Sequence, residues 1–260
     1  MGSVPIYGSD PDFMKIATWN VNGIRARAQQ VCDFLERERP DVLCLQELKA
    51  GIEQVPEQCK TDDYHIYWHG STLRAYSGVS LHVRKGLVEP AFSHPEFDME
   101  SRIVAARCGS LVLASVYVPN GGKDYPAKLQ FMRSLRDWAK RVHGEGCELV
   151  LCGDINIART ERDVHPVERR NVIGQLPEER ALFEELIDDQ LVDVHRQLEP
   201  DNERLFTWWA PWRKMRERNI GWRLDYVLAS KSIASRVQSC VVQREFGTSD
   251  HGPVMMTISS

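Results

Sequence analysis

Asp154 and Asn156, two residues apart in LVLCGDINIA (149–158), interrupt a segment otherwise apolar enough to be buried on both faces. As a strand it places Val150, Cys152, Asp154 and Asn156 on one face and Leu149, Leu151, Ile155 and Ile157 on the other, so one face turns polar abruptly. A carboxylate or amide stranded in an apolar core costs about 2 kcal/mol or more, so the pair must have partners. The change recurs along the chain. Ile16, Thr18, Asn20 and Asn22 share a face of the first strand, Leu43 and Leu45 share the face that ends in Glu47, and LVLASVYVPNGG ends in Tyr117 and Asn120. In the last third the order reverses: Asp225 opens RLDYVLAS, and Asp250 and His251 precede the final strand. Polar ends and polar starts meet only if strands run in opposing directions. A lone Asp or Asn at a strand end is ordinarily a turn residue or a helix cap, and that reading stands for Asn22, Asn120 and Asp250 taken singly. Six segments making the same change argue for one shared rim.

The set has no G-x-S-x-G, no Gly-rich phosphate loop and no Cys and His at nucleophile spacing. Its oxygen donors suit a hard divalent cation, Mg²⁺ or Mn²⁺, rather than zinc. A His, a Tyr and a further Asp remain for proton transfer and charge stabilisation. Metal-assisted phosphoryl hydrolysis is the class that fits. Acid-base help supplies roughly 3–5 kcal/mol of barrier lowering, whereas phosphate ester hydrolysis needs on the order of 20, so electrostatics and positioning must supply most of it.

The elements that must hold this rim are legible. Strand-like segments are KIATWNV, DVLCLQE, YHIYWHG, GVSLHVRK, RIVAARCG, LVLASVYV, LVLCGDINIA, RLDYVLAS and VMMTISS, and helical patterns cover 26–39, 126–143 and 177–190. Strand, helix, then strands in each half points to an α/β fold: two mixed sheets packed face to face with helices outside, a four-layered sandwich. Residues 14–260 are expected to form one domain and residues 1–13 an unpatterned N-terminal extension. With 260 residues, 42% of them hydrophobic and 27% charged, a sizeable core is possible. No run approaches the roughly 20 apolar residues of a membrane helix, and the first residues lack a secretory signal, so a cytoplasmic location without membrane contact is expected. Seven cysteines, with no C-x-x-C pair, argue against disulfides and structural zinc. The net charge of −4 argues weakly against a nucleic-acid partner, but residues 208–223 carry five basic side chains, one acid and four tryptophans, a composition suited to a polyanion.

WNVNGIRA (19–26), LQELK (45–49), YSGV (76–79), VYVPNGG (116–122), CGDINIA (152–158), PEER (177–180), NIGWRLDYVLAS (219–230) and SDHGPV (249–254) together resemble the exonuclease III / apurinic-apyrimidinic (AP) endonuclease family. The resemblance runs in order from Met14 nearly to the end. It implies a four-layered α/β sandwich and a Mg²⁺-dependent monomeric enzyme that cuts double-stranded DNA 5′ to abasic sites and works on 3′ ends as exonuclease and phosphatase or phosphodiesterase. Residue by residue, it makes Glu47 the principal metal ligand, helped by Asn22, with Asp250 as an outer carboxylate. Asn20, Asp154, Asn156 and His251 line the place for the scissile phosphate and a second ion. Asp154 would position or deprotonate water, Asn156 would hold it, His251 oriented by Asp225 would bind phosphate, and Tyr117 would assist the leaving oxygen. Arg25, Tyr76, Arg102, Asn120, Lys123 and Asn171 match DNA-contacting positions. Trp208, Trp222 and Leu224 match a pocket for an extruded sugar, while Trp209 is read as core. A catalytically silent nucleic-acid-binding regulator of the same fold, or a phosphoesterase acting on other substrates, is the alternative. DNA affinity is expected to fall steeply with salt, each phosphate contact releasing about one counterion; a flat response in a binding titration would count against Arg25, Arg102 and Lys123.

Overall fold

The computed structural model describes residues 12–71, 76–187 and 190–259. The expected N-terminal extension therefore lies outside the described residues up to residue 11, and the first strand starts at Phe13.

Two six-stranded sheets form the centre. In the first, β1 (Phe13–Asn20) is parallel to β2 (Val42–Gln46) and antiparallel to β12 (Val254–Ser259). With β3 (Tyr64–His69), β4 (Val79–Arg84) and β11 (Val237–Val242) the order is β11-β12-β1-β2-β4-β3. In the second, β7 (Leu111–Tyr117) is parallel to β8 (Glu148–Asp154), which is antiparallel to β10 (Asp225–Ser230). β5 (Ala91–Ser93), β6 (Ile103–Cys108) and β9 (Leu191–Asp193) complete the order β5-β6-β7-β8-β10-β9. The two parallel pairs are each closed by a helix, α1 (Ile24–Glu38) after β1 and α2 (Tyr125–Gly144) after β7. α3 (Pro177–Ile187), α4 (Val194–Leu198) and α5 (Lys231–Ala234) follow.

Strand alternation sorts the apolar residues into layers. Ile16, Val42, Cys44, Val150, Cys152 and Val227 fill the space between the sheets. Ala17, Trp19, Leu43 and Leu45 face Val31 and Phe34 of α1, and Leu149, Leu151, Ile155 and Ile157 face Met132, Leu135 and Phe183 of α2 and α3. The result is the expected four-layered sandwich, each fully buried aliphatic or Phe side chain contributing about 1.5–3 kcal/mol. Pro40 and the left-handed Arg39 (φ 48°) end α1, and Asp124 caps α2 by accepting from the Ala127 N–H at 2.9 Å.

α3 is described over Pro177–Ile187, and part of the expected helix to residue 190 falls on residues 188–189, outside the described residues. Three differences from the sequence expectations have local causes. The strands β5 and β9 have three residues each and sit at sheet edges, too short to show alternation. The edge strand β11 carries a register shift between Val237 and Ser239 that breaks its period. α4 and α5 are a turn or so long and carry no helical periodicity.

The basic run is corrected at two of its five cations, Arg216 and Arg223, while Arg213, Lys214 and Arg218 are exposed. Arg223 is fully buried: Nε donates to Asp163 Oδ1 at 2.8 Å, and Nη1 and Nη2 donate to Asp193 Oδ1 and Oδ2 at 2.7 Å each. Arg196 joins Asp163 at 2.6 Å and Arg159 joins Asp193 at 3.2 Å. Arg216 lies over the Trp209 ring and donates to the carbonyls of Arg244, Phe246 and Ser249. Arg223 is shut off from solvent and Arg216 is half-buried on backbone carbonyls, and both hold the segment that carries the tryptophans. Burial alone would raise the Asp193 carboxyl, but the bidentate Arg223 holds it down to about 2. Because that carboxyl ionises near 4 in the unfolded chain, its stabilisation is full above about pH 4 and is lost as pH falls towards 2. Arg223→Ala is expected to cost about 3–5 kcal/mol by stranding two buried carboxylates, read as a lowered urea midpoint; an unchanged midpoint would contradict this.

Candidate active site

The parallel pairs explain why the polar residues meet. β1, β2, β7 and β8 end at the same rim in Asn20, Gln46, Tyr117 and Asp154, while β10 starts there with Asp225, which pairs directly with Asp154. β12, antiparallel to β1, starts just after His251. Beneath the rim Thr18 Oγ1 donates to Gln46 Oε1, and Gln46 Nε2 donates to Ser115 Oγ across the sheets at 3.1 Å.

Glu47 reaches the rim by a route the strand period does not give. Leu43 and Leu45 face α1, so simple alternation would send Glu47 to the same layer. Instead β2 ends at Gln46, and Glu47 turns into the left-handed region (φ 53°), which swings its carboxylate to the cleft. Asn22 (φ 47°), Lys49 (φ 50°), Ser77 (φ 55°) and Asn156 (φ 55°), all lining the same cleft, share this conformation. Non-glycine residues there carry strain that the surroundings must hold, a pattern that concentrates at functional sites. Gly153 is required as well: at φ 147° a Cβ would lie 1.9 Å from the Val116 carbonyl oxygen.

The side chains form one network. Asn20 Nδ2 donates to Glu47 Oε1 (3.0 Å) and to Asp154 Oδ2 (2.9 Å), and the Asn156 N–H donates to Asp154 Oδ1 (2.9 Å). Asn156 Nδ2 donates to the Val118 carbonyl (2.9 Å) and reaches Asp154 Oδ2 at 3.4 Å. His251 Nδ1 is 2.8 Å from Asp225 Oδ2, and its Nε2 points towards Asp154 Oδ2 at 3.8 Å. Asn22 Nδ2 donates to Asp250 Oδ1 at 2.7 Å, and Lys49 Nζ bridges Asn22 Oδ1 (2.6 Å) and Glu47 Oε2 (2.7 Å).

Electrostatics divides these groups. Burial raises the Asp154 carboxyl to about 7, with Asp225 and Glu47 adding to the rise and His251 opposing it. Burial disfavours the His251 imidazolium, but Asp225 outweighs it and holds the ring at about 10. Burial also pushes Glu47 upward, yet Lys49 and Asn20 keep it below the ordinary carboxylate value. Burial and the nearby Glu47 and Asp154 push the Tyr117 hydroxyl well above 10, so it remains protonated.

One wall of this cleft, about 450 Å³ in volume, is apolar. Trp208 and Trp222 meet edge to face at 5.7 Å beside Leu224, and Trp208 Nε1 donates to Asp250 Oδ2 at 2.9 Å. Thr207 Oγ1 accepts from the N–H groups of Leu224 and Asp225, fixing wall and carboxylate together. Trp209 is buried, with its ring N–H on Asn219. Tyr76 and Asn120 line the cleft, whereas Arg25, Lys123 and Asn171 are exposed outside it. Arg102 is buried to 1% exposure, bonded to Glu100 and set over the Tyr76 and Tyr117 rings at 5.1 and 4.7 Å. It braces two cleft aromatics and is no surface grip, which shifts the expected salt dependence onto Arg25 and Lys123.

The sequence singles out Glu179 only as part of PEER (177–180), with no role, and Lys128 not at all; the two form a fully buried ion pair at 2.5 Å. Lys128 Nζ also donates to the carbonyls of Asn156 (2.8 Å) and Asn120 (3.3 Å), and Glu179 Oε2 accepts from the N–H groups of Gly174 and Leu176. One pair thus ties three cleft segments. Helical spacing would have buried both positions, but only the fold shows their partners.

Glu47, Asp154 and His251 each offer a ligand atom, all within 4.8 Å of one another. Two carboxylates beside the amide oxygen of Asn22 fit a hard divalent cation, and the ammonium of Lys49 on Glu47 and Asn22 marks where positive charge is needed.

The description "Endonuclease/Exonuclease/phosphatase family" matches residues 17–251. The chain is 32% identical to an exodeoxyribonuclease of Bacillus subtilis over 95% of its length and all of the relative's. It is 33% identical to the DNA repair nuclease APEX1 of Danio rerio, covering 95% of this chain and 82% of that one. The structure of the 3′ phosphatase NExo from Neisseria, bound to a product DNA hairpin, superposes with a TM-score of 0.84 at 31% identity, covering 94% of this chain and 98% of that one. The chain belongs to the exonuclease III / AP endonuclease family within this larger family, and it is a hydrolytic nuclease. Lys128→Met is expected to cost about 3–5 kcal/mol by leaving Glu179 buried and unpaired, with most of the loss recovered in Lys128→Met/Glu179→Leu; equal urea midpoints for wild type and the single variant would contradict the pair's role.

Proposed function

We propose that the chain is a DNA repair nuclease that hydrolyses the phosphodiester 5′ to an abasic site and also works on 3′ ends in the same cleft, with Mg²⁺ or Mn²⁺ as cofactor. The observation that carries this reading is the junction of the Asp154–His251 rim with the wall of Trp208, Trp222 and Leu224. Trp208 forms an antiparallel backbone bridge with His251 and donates to Asp250, so an apolar face sits directly against the hydrolytic groups. An extruded sugar without a base fits such a face and loses no stacking, whereas an intact nucleotide must give up a few kcal/mol to leave the duplex.

A divalent cation at Glu47, with Asn22 and Asp250 around it, supplies Lewis-acid stabilisation of charge on the phosphate when bound. Asp154, near 7, is matched to accept a proton from the attacking water at neutral pH. Asn156 and Asn20 hold Asp154 and the water in line through their amides. His251, cationic at neutral pH, holds a phosphate oxygen, with Asp225 fixing its ring. Attack breaks the bond to the 3′ oxygen, which the protonated Tyr117 meets as a donor, leaving a 3′ hydroxyl and a 5′ phosphate. Arg25, Lys123, Asn120 and Asn171 contact the flanking backbone in this reading. The seven cysteines are all free, which suits a reducing compartment such as the cytoplasm. DNA is favoured over a lipid headgroup because two of the relatives named above are nucleases and the third, a 3′ phosphatase, is seen with a DNA product.

Asp154→Asn is expected to lower metal-dependent nicking of a duplex carrying one abasic analogue by at least the 10²–10⁴ that acid-base catalysis contributes, with an unchanged circular dichroism spectrum. Retained nicking, or activity confined to lipid phosphates, would overturn the proposal.

A further inference from the structure

A second cluster of ligand-type side chains lies apart from the cleft. His69 ends β3 in the first sheet, while His94 and Asp98 belong to the segment between β5 and β6 of the second. His69 Nε2 is 2.6 Å from Asp98 Oδ2, the His69 and His94 rings are stacked at 4.8 Å with 14° between planes, and one ligand atom from each of the three lies within 4.8 Å of the others. Asp98 is oriented from behind, its Oδ1 accepting from the N–H groups of Arg102 (2.8 Å) and Ile103 (3.1 Å). Such a second hydrogen bond is what fixes a ligating carboxylate. His94 is exposed and has no hydrogen-bond partner among the described residues, which leaves a face open to water.

We infer that His69, His94 and Asp98 form a binding site for one divalent transition metal ion of the zinc class, joining the edges of the two sheets. Two imidazole nitrogens and one carboxylate oxygen are the donors of a three-ligand zinc site with an open position. Imidazole selects Zn²⁺, Co²⁺, Ni²⁺ or Cu²⁺ over Mg²⁺, so this site and the oxygen-rich rim prefer different ions. Its place gives it a consequence. The segment after Asp98 runs through Glu100 and Ser101, both left-handed at φ 54° and 57°, into Arg102, which lies over the Tyr76 and Tyr117 rings of the cleft. An ion on Asp98 would hold this strained turn and so brace Arg102.

The test is zinc binding by the metal-stripped protein, followed by calorimetry and thermal melting with Mg²⁺ in excess to occupy the rim. The wild type and Glu47→Gln are each expected to bind one Zn²⁺ per chain and to melt higher with it. Loss of even an outer partner of a ligand costs about 10–100-fold in metal affinity, so His94→Ala, at an exposed position, is expected to bind Zn²⁺ at least tenfold more weakly while its zinc-free nicking is unchanged. Equal Zn²⁺ binding by His94→Ala and wild type, no binding by wild type, or binding lost only in Glu47→Gln would each overturn the inference. Failure here leaves the reading of the cleft intact, because the two sites share no ligand.

Discussion

Glu47, Asp154 and Asp225 bring three carboxylates into one buried rim, and their mutual repulsion is the constraint to which the surrounding structure answers. Two like charges about 4 Å apart at the effective dielectric of a protein site repel by about 4 kcal/mol. The chain meets this with unequal environments. Asp225 is spent on His251, Glu47 is held ionised by Lys49 and Asn20, and Asp154 takes the burden, its carboxyl raised to about 7. Two neighbouring carboxylates with separated ionisation are the arrangement by which one site can hold a cation and move a proton.

That division depends on fixing each group within a fraction of an ångström, and the fixing comes from outside the rim. The parallel pairs β1–β2 and β7–β8 bring four strand ends to one level, and the antiparallel β10 adds Asp225 opposite Asp154. Lys128 and Glu179 hold the backbone of Asn156, Asn120 and Gly174, while Arg223 with Asp163 and Asp193 anchors the segment leading into β10 that carries Trp222, Leu224 and Asp225. Buried ion pairs of this kind add little net stability over apolar packing, but losing one partner is costly, so they make the rim's geometry hard to relax.

The sequence made much of this legible because the period of a strand is short and the polar interruptions are abrupt. Asp154, Asn20 and Tyr117 end strands whose other residues are apolar, and the two sheets with outer helices follow from the same alternation. Glu47 is found for the wrong reason: alternation puts it on the face of Leu43 and Leu45, which turns to α1, and only a left-handed residue after β2, of which the period carries no sign, brings it to the rim. Arg216 and Arg223 looked like surface charge because a run of basic residues does not reveal its distant partners, the carbonyls of Arg244, Phe246 and Ser249 for Arg216 and the buried Asp163 and Asp193 for Arg223. Arg102 is of the same kind, a cation whose work is on Tyr76 and Tyr117 beneath the surface.

The claim that the crowded rim exists to hold a divalent cation is tested most directly by titrating the protein with Mn²⁺ and following the free ion by electron paramagnetic resonance. The wild type should bind Mn²⁺ in competition with Mg²⁺, and Glu47→Gln should bind it at least tenfold more weakly, since even an outer ligand partner is worth about 10–100-fold. Equal Mn²⁺ affinity in the two proteins would contradict the assignment of Glu47 and, with it, the reason given for the rim's charge.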